Sequence, residues 1–491
     1  MTTLDDLGHA AVPASAGAWH RPNRLIALAV LGGVGLTVVL AHAYIPWQWL
    51  MPDLWVIAAF AIVTLLATLA FWRAQIPPAL IKLEIAPEQA SRWLMALLGI
   101  GIALRLGWVI AVPPIQESDA FAYWHAAIRL IEEGTHYYFV EGGHKVMAWR
   151  PPGVPLALAP AVALFGPQDW VPAMVNLLAY IVTSVILFDA GRRLMGDSAA
   201  VVAVGLLALD PGAIAAIGLA LSELLSLMFF LGSFWAVVRS RERPWAFGLL
   251  AGVLLGCGAL FKPAYLLMPV VWLVFLALVS PDIRTVGRRF APMVLAFVLT
   301  MTPWATRNYL VLDAFVPVST NGGDVFYRAN NPLASGTYMV RGERDIRAEF
   351  RHDEAQWNSI GYKLGLEWIL ENPVDFLKLA FHKQSYFLAG GSATFIYYTL
   401  ERGHGSTGLT YQMLYGYAQI WWIALWIMIG AGLLRNWRMM IGSPGLVFML
   451  LVFLYLVAMH SVFESQPRHL IPCYGFLLLI AASAVTTPRP R

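Results

Sequence analysis

The chain has 491 residues, of which 59% are hydrophobic and only 13% charged, with a mean hydropathy of +0.65. Its 33 Lys and Arg and 29 Asp and Glu cannot cover the surface that a water-soluble globule of this length exposes, which excludes an ordinary soluble enzyme. The net charge of +4 is small and its cations sit in short scattered clusters, which speaks against a nucleic-acid partner and leaves them as signals of membrane orientation.

In chain order, a polar leader over 1–24 precedes the first apolar stretch. No small-residue cleavage site follows that stretch, so it reads as a retained helix rather than a removed signal peptide. Spanning helices are expected near 25–44, 54–72, 93–112, 170–190, 198–216, 224–240, 244–260, 264–281, 290–308, 412–433, 444–462 and 467–486. With the N-terminus inside, the clusters at Arg21/Arg24, Arg73/Lys82/Arg92, Arg192/Arg193, Arg239/Arg241/Arg243, Arg284/Arg288/Arg289, Arg435/Arg438 and Arg489/Arg491 all fall on the cytoplasmic side. The expected fold is an all-α polytopic membrane protein with about 12 transmembrane helices, since helix satisfies its own backbone groups where lipid cannot.

The divisions that follow are a cytoplasmic leader (1–24), three N-terminal spans (25–112), a first outer loop (113–169), a transmembrane core (170–308), a large outer loop (309–411), C-terminal spans (412–486) and a cytoplasmic tail (487–491). Residues 151–166 are apolar but short and carry four prolines, so they read as interfacial or re-entrant. Within the large loop, 372–392 intersperses aromatics with Lys378, His382 and Lys383, a pattern suited to a helix in the headgroup plane. No inverted repeat of the transporter kind is visible.

Candidate chemistry lies at the outer ends of these helices. A helix over 119–133 would place Phe121, Trp124, Ile128 and Ile131 on one apolar stripe, with His125, Arg129, Glu132 and Glu133 facing away. Asp119 opens that helix, where a carboxylate can simply cap free N–H groups. The sharper reading is that Asp119 and Glu117 stand where a lipid-carried substrate presents its head group. Tyr123, Trp124 and Tyr137 are then candidate sugar-stacking rings. Glu223 stands at the outer boundary of its helix, where it is either a cap with Ser222 or a functional acid. Arg150, Lys262, Arg468 and His469 are outer cations that topology does not require; phosphate binding and snorkelling are the two readings. Arg307 enters the large loop and ties it to the membrane surface on the simpler reading. Asn330 and Asn331 belong to a turn-rich run that serves either the turn itself or sugar binding. The histidines show no metal-ligand spacing, and the metal question stays open.

The ordered series ESDAFAYWHAAIRLIEEG (117–134), WRPPGVPLALAPAVALFG (149–166), LALSELLSLMF (219–229), LFKPAYLL (260–267), 302–338 and ESQPRHLIPCYGFLLLIAA (464–482) resembles the polytopic glycosyltransferases of the C superfamily. The resemblance is nearest to the bacterial branch related to protein O-mannosyltransferases and aminoarabinose (lipid A) transferases. The two helices ahead of the one preceding the acidic loop depart from that branch's usual single-helix start. The resemblance implies inverting transfer of a sugar from a polyprenyl-phosphate donor to an acceptor hydroxyl of a glycan, lipid or protein. It places the site on the outer, periplasmic or exterior, face of a bacterial cytoplasmic (inner) membrane. It implies Asp119 as general base with Glu117 as runner-up, and Glu223 as a second acidic group that orients the acceptor or helps hold a divalent metal. No cofactor is otherwise called for, and membrane lipids are the surrounding partners. The rival class is a transporter or flippase of a lipid-linked or anionic substrate, which would draw on Arg105 inside its helix.

Overall fold

A computed structural model of the chain describes residues 83–487, apart from 141–142, 241, 280–281, 339–345 and 350–352. The spans expected at 25–44 and 54–72 lie outside the described residues, as do Arg21, Arg24, Arg73, Lys82 and Arg241.

Helix α1 (Pro87–Ala111) starts with proline at its first position, where the missing N–H costs nothing. It buries only Ala90, Leu98, Gly101 and Arg105 among its neighbours. Met95, Leu106 and Ile110 stay uncovered on its other sides, as a lipid-facing helix requires. A Pro113-Pro114 break then turns the chain into α2 (Asp119–Glu132) and a two-stranded antiparallel ribbon, β1 (Tyr138–Val140) with β2 (His144–Val146).

Helix α3 (Gly153–Phe165) is 13 residues, about 20 Å, and so too short to cross the hydrocarbon. Helix α4 (Val171–Met195) is 25 residues and ends at Gly196, whose φ of +93° lets the chain reverse into α5 (Asp197–Leu209). Arg192 meets Asp197 across that turn at 3.1 Å.

The single helix expected over 198–216 is instead bent by 53° at Asp210-Pro211. Pro211 cannot continue the ladder of α5. Arg105 of α1 takes up the carbonyls freed by the break, donating to Leu207 and Ala208 at 3.0 and 3.1 Å and to its own Gly101 at 3.0 Å. Its guanidinium also lies 3.7 Å from the Tyr180 ring centre. Asp210 caps the next turn by accepting from Ala213 N at 2.6 Å, and its other oxygen accepts from Ser392, Trp421 and Tyr474.

Helices α6 (Glu223–Arg239), α7 (Pro244–Phe261), α8 (Met268–Val279) and α9 (Ile283–Leu312) follow. Gly248, Gly252 and Gly256 recur every four residues on α7 and face Pro292, Met293, Ala296 and Thr300 of α9. A Cβ at Gly252 would sit 2.1 Å from the Met293 carbonyl oxygen, so only glycine allows this backbone-to-backbone approach. The helix expected at 264–281 is broken: a 3-10 turn, Pro263–Tyr265, precedes α8.

The large loop folds into α10 (Gly322–Arg328), α11 (Glu354–Glu371), α12 (Pro373–Leu388) and α13 (Gly391–Ile396), then a π-helical turn, Tyr397–Gly403. Helix α12 leaves Val374, Leu377 and Phe381 exposed. Lys383, however, is fully buried, where it donates to Asn330 and to the Ser461 and Val462 carbonyls. The chain closes with α14 (Leu409–Gly442), α15 (Pro444–Val462), a 3-10 turn over Pro467–Cys473 and α16 (Tyr474–Ala482).

The chain is a helical, multi-pass membrane protein. Among the described residues five helices are long and apolar enough to cross a membrane, six if the bent α5 pair is one span. The other six of the twelve are the broken helices at 263–279 and 467–482, the 17-residue α6, α9, and the two spans outside the described residues. An aromatic stack of Trp272, Phe448, Phe234 and Phe476 binds α6, α8, α15 and α16.

Candidate active site

The candidate acids and cations converge where α2, the segment before α3, and the starts of α6 and of the 467–473 turn meet. The loop entering α2 is held by Gln116. Its amide donates to the Gly218 carbonyl and accepts from Ala220 N, both at 2.8 Å. Acidic Glu223 lies three residues beyond that clamp. Between Gln116 and α2, Ser118 adopts φ +54°, an uncommon geometry for a residue with a Cβ and one that concentrates at functional sites.

Asp119 is the first residue of α2, and its carboxylate does not cap the helix. One oxygen meets Arg150 Nη1 and the other Arg468 Nη2, both at 2.6 Å. Burial acts to raise the Asp119 carboxyl, but the two guanidiniums outweigh it and hold the group well below the ordinary carboxylate range. Arg468 directs all three nitrogens: Nη2 to Asp119, Nε to Gln466 Oε1 at 2.9 Å, and Nη1 toward Glu223 Oε1 at 3.9 Å.

Glu223 likewise opens its helix without capping duty for Ser222. It is 2% exposed, pairs with Lys262 Nζ at 3.1 Å, and leaves its second oxygen buried without a hydrogen-bond partner. His469 is stacked on His460 with ring centres 4.6 Å apart. Arg150, Arg468 and Lys262 therefore face the carboxylates of Asp119 and Glu223. A cleft bordered by Ile115, Glu117, Asp119, Leu219, Leu221, Tyr398 and Arg468 opens onto this group.

The segment carrying Arg150 is fixed from the large loop. Glu354 accepts from Met147 N at 2.6 Å, Ala148 N at 3.2 Å and Thr320 Oγ1 at 2.8 Å. Arg307 donates to the Met147 and His136 carbonyls, each at 2.8 Å, and so ties the first loop to α9.

The aromatic and amide candidates are all buried. The buried face of α2 is Ala120, Tyr123, Trp124 and Ala127, whereas Phe121 and Ile131 are exposed. The apolar stripe is thus turned by about one residue, because small side chains let α2 approach its neighbours closely. Tyr123 and Trp124 are 7% and 5% exposed, and Tyr123 lies under Arg150 at 5.7 Å. The Tyr137 ring sits close to both Arg129 (4.7 Å) and Lys145 (3.9 Å). Asn330 and Asn331 are buried and donate to the Phe326, Val462 and Tyr327 carbonyls. Gln116, Glu354, Tyr398 and Gln466 were not anticipated. Only their places beside the motifs, or in the long loop, pointed to them.

Among the described residues no three His, Cys, Asp or Glu side chains group as a metal site. Asp119 and Glu223 are each already met by a cation.

Residues 149–306 match the family described as dolichyl-phosphate-mannose-protein mannosyltransferase. No curated protein matches the chain by sequence. Its fold is similar to the oligosaccharyltransferase of Archaeoglobus fulgidus in the apo form, at 11% identity and a TM-score of 0.51, over 80% of this chain and 50% of that one. The same archaeal protein, AglB, in complex with an inhibitory peptide and a dolichol-phosphate matches at 14% identity and a TM-score of 0.51, over 81% and 50%. ArnT from Cupriavidus metallidurans bound to undecaprenyl phosphate aligns at 14% identity and a TM-score of 0.42, over 81% and 77%. The chain spans about half the length of the oligosaccharyltransferase structures. The class defined is a multi-pass helical membrane protein with an acidic and cationic centre at its helix ends. More narrowly, the fold is similar to that of the Archaeoglobus fulgidus oligosaccharyltransferase.

Proposed function

We propose that the chain is an inverting glycosyltransferase, moving a sugar from a polyprenyl-phosphate donor to an acceptor hydroxyl on the outer face of the bacterial cytoplasmic membrane. The observation that carries this reading is Asp119 clasped between Arg150 and Arg468 at a small cleft, beside the Lys262–Glu223 pair. In this arrangement the carboxylate is a weak base. A donor phosphate entering the cleft competes for the same guanidiniums, and as it takes them up Asp119 regains basicity. The acceptor oxygen then attacks the anomeric carbon opposite the phosphate. The carbon–oxygen bond to the phosphate breaks, and the hydroxyl proton passes to Asp119. Polyprenyl phosphate leaves with the bonding pair, its charge met by Arg150, Arg468 and Lys262. One displacement inverts the anomeric centre, so no second carboxylate has to act as nucleophile. Glu223, with one oxygen unpartnered, is placed to orient a substrate hydroxyl.

The family description and the dolichol-phosphate held by the archaeal structure support a lipid-phosphate donor. Arg105, the mid-helix charge that a transporter would call upon, is bound to backbone carbonyls at the α5 bend. The test is transfer by the purified protein in liposomes, from radiolabelled polyprenyl-phosphate sugars to an envelope lipid and glycan extract. Labelled product of inverted anomeric configuration is expected. Retained configuration would refute the mechanism, and movement of labelled lipid across the bilayer without transfer would favour the transporter.

A further inference from the structure

We propose that Gln466 is a positioning residue: it aims Arg468 at Asp119 and links that aim to the large loop through Glu464. The inference rests on the reading of Asp119 as the base. Gln466 is the last extended residue before the Pro467–Cys473 turn, with φ −143° and ψ 152°.

Gln466 Oε1 accepts from Arg468 Nε at 2.9 Å, and its Nε2 faces Glu464 Oε1 at 3.5 Å. Its orientation is dictated on both sides, because a guanidinium only donates and a carboxylate only accepts. Glu464, 8% exposed, lies beside Arg328 in turn: Arg328 Nη2 is 3.3 Å from its Oε2, an ion-pair contact without a hydrogen bond. Arg328 pairs with Asp324 at 3.0 Å, and Arg347 grips Asp324 with two bonds of 3.0 and 2.7 Å. A run of ion pairs and hydrogen bonds therefore leads from the large loop to the carboxylate that would take the proton.

Without Gln466, Arg468 keeps its charge but loses the bond that fixes its plane, and Asp119 loses its orientation. A merely structural role for Gln466 would act independently of Arg468. The test uses the full-length protein with Gln466→Ala, and Gln466→Met as a length-matched second variant should the first not fold. Each is made alone and with Arg468→Ala.

Two readouts are taken, sugar-transfer kinetics and carbodiimide labelling of Asp119 followed by peptide mass spectrometry. Gln466→Ala is expected to lower kcat roughly ten- to hundredfold, the worth of one charge-assisted bond, with a smaller change in donor KM. It is also expected to raise labelling of Asp119 as the clasp loosens. In the Arg468→Ala background both effects should disappear. Additive effects of the two substitutions, unchanged labelling, or raised labelling with unchanged transfer would each overturn the proposal. If the unsubstituted protein transfers no sugar, the proposed activity fails on its own, and labelling still decides whether Gln466 sets the clasp.

Discussion

Replacing Asp119 by Asn keeps the shape of the side chain but removes the charge from between two guanidiniums that each approach to 2.6 Å. Loss of one partner from a fully buried ion pair costs about 3–5 kcal/mol. The side chains here retain 23% exposure at Asp119, 24% at Arg150 and 11% at Arg468. Solvent reaches the centre, so a loss nearer 2 kcal/mol is expected, a fall of a few degrees in Tm with the protein still folded and membrane-inserted. The kinetic effect is larger, because an amide cannot accept the acceptor proton, and kcat should fall by about 10²–10⁴-fold. Donor affinity should move the other way. The phosphate no longer competes with a carboxylate for Arg150 and Arg468, so donor binding should hold or tighten by up to about tenfold, within the worth of one charge-assisted bond. Steady-state transfer from a labelled donor, with binding of the bare polyprenyl phosphate measured separately, distinguishes these terms. Near-normal kcat in a folded Asp119→Asn protein, or weaker donor binding with kcat unchanged, would refute the reasoning.

Three further outcomes are expected. Lys262→Ala leaves Glu223, whose side chain is 3% exposed, with only the more distant Arg468, and should lower thermal stability by about 3 kcal/mol; Lys262→Ala with Glu223→Gln should recover most of it, which a melting curve in detergent checks. Gly252→Ala forces α7 and α9 apart at a backbone contact and should destabilise by about 1–3 kcal/mol, whereas Gly287→Ala, with open space at its Cβ, should not. In a background lacking Cys257 and Cys473, Phe121→Cys, 52% exposed at the start of α2, should react with an impermeant thiol reagent in whole cells; labelling only after permeabilisation would reverse the orientation.

Much of the scaffold was legible in the sequence because lipid imposes local rules. Apolar length makes helices of 87–111, 171–195 and 444–462, and proline placement keeps 153–165 short, without reference to any distant residue. The breaks were not legible. The bend at Asp210 depends on Arg105, Ser392, Trp421 and Tyr474, which the chain brings together over as many as 264 positions. The face that α2 buries was likewise decided by what packs against it, since alanines at 120 and 127 carry little periodic signal of their own.

For the site, residue types and their placement at helix ends pointed to Asp119, Glu223, Arg150, Lys262 and Arg468 separately. That Asp119 is clasped rather than capping follows from Arg468, far along the chain, whereas Asn330 and Asn331 bind carbonyls three or four residues back, with Val462 the distant partner of Asn330. By itself the sequence determined a membrane solvent, the helices it requires, and the charges left at their ends. The tertiary structure alone decided which of those charges meet. Ion pairing acts over a few ångströms and takes no account of separation along the chain, so Arg468 reaches Asp119 across 349 positions.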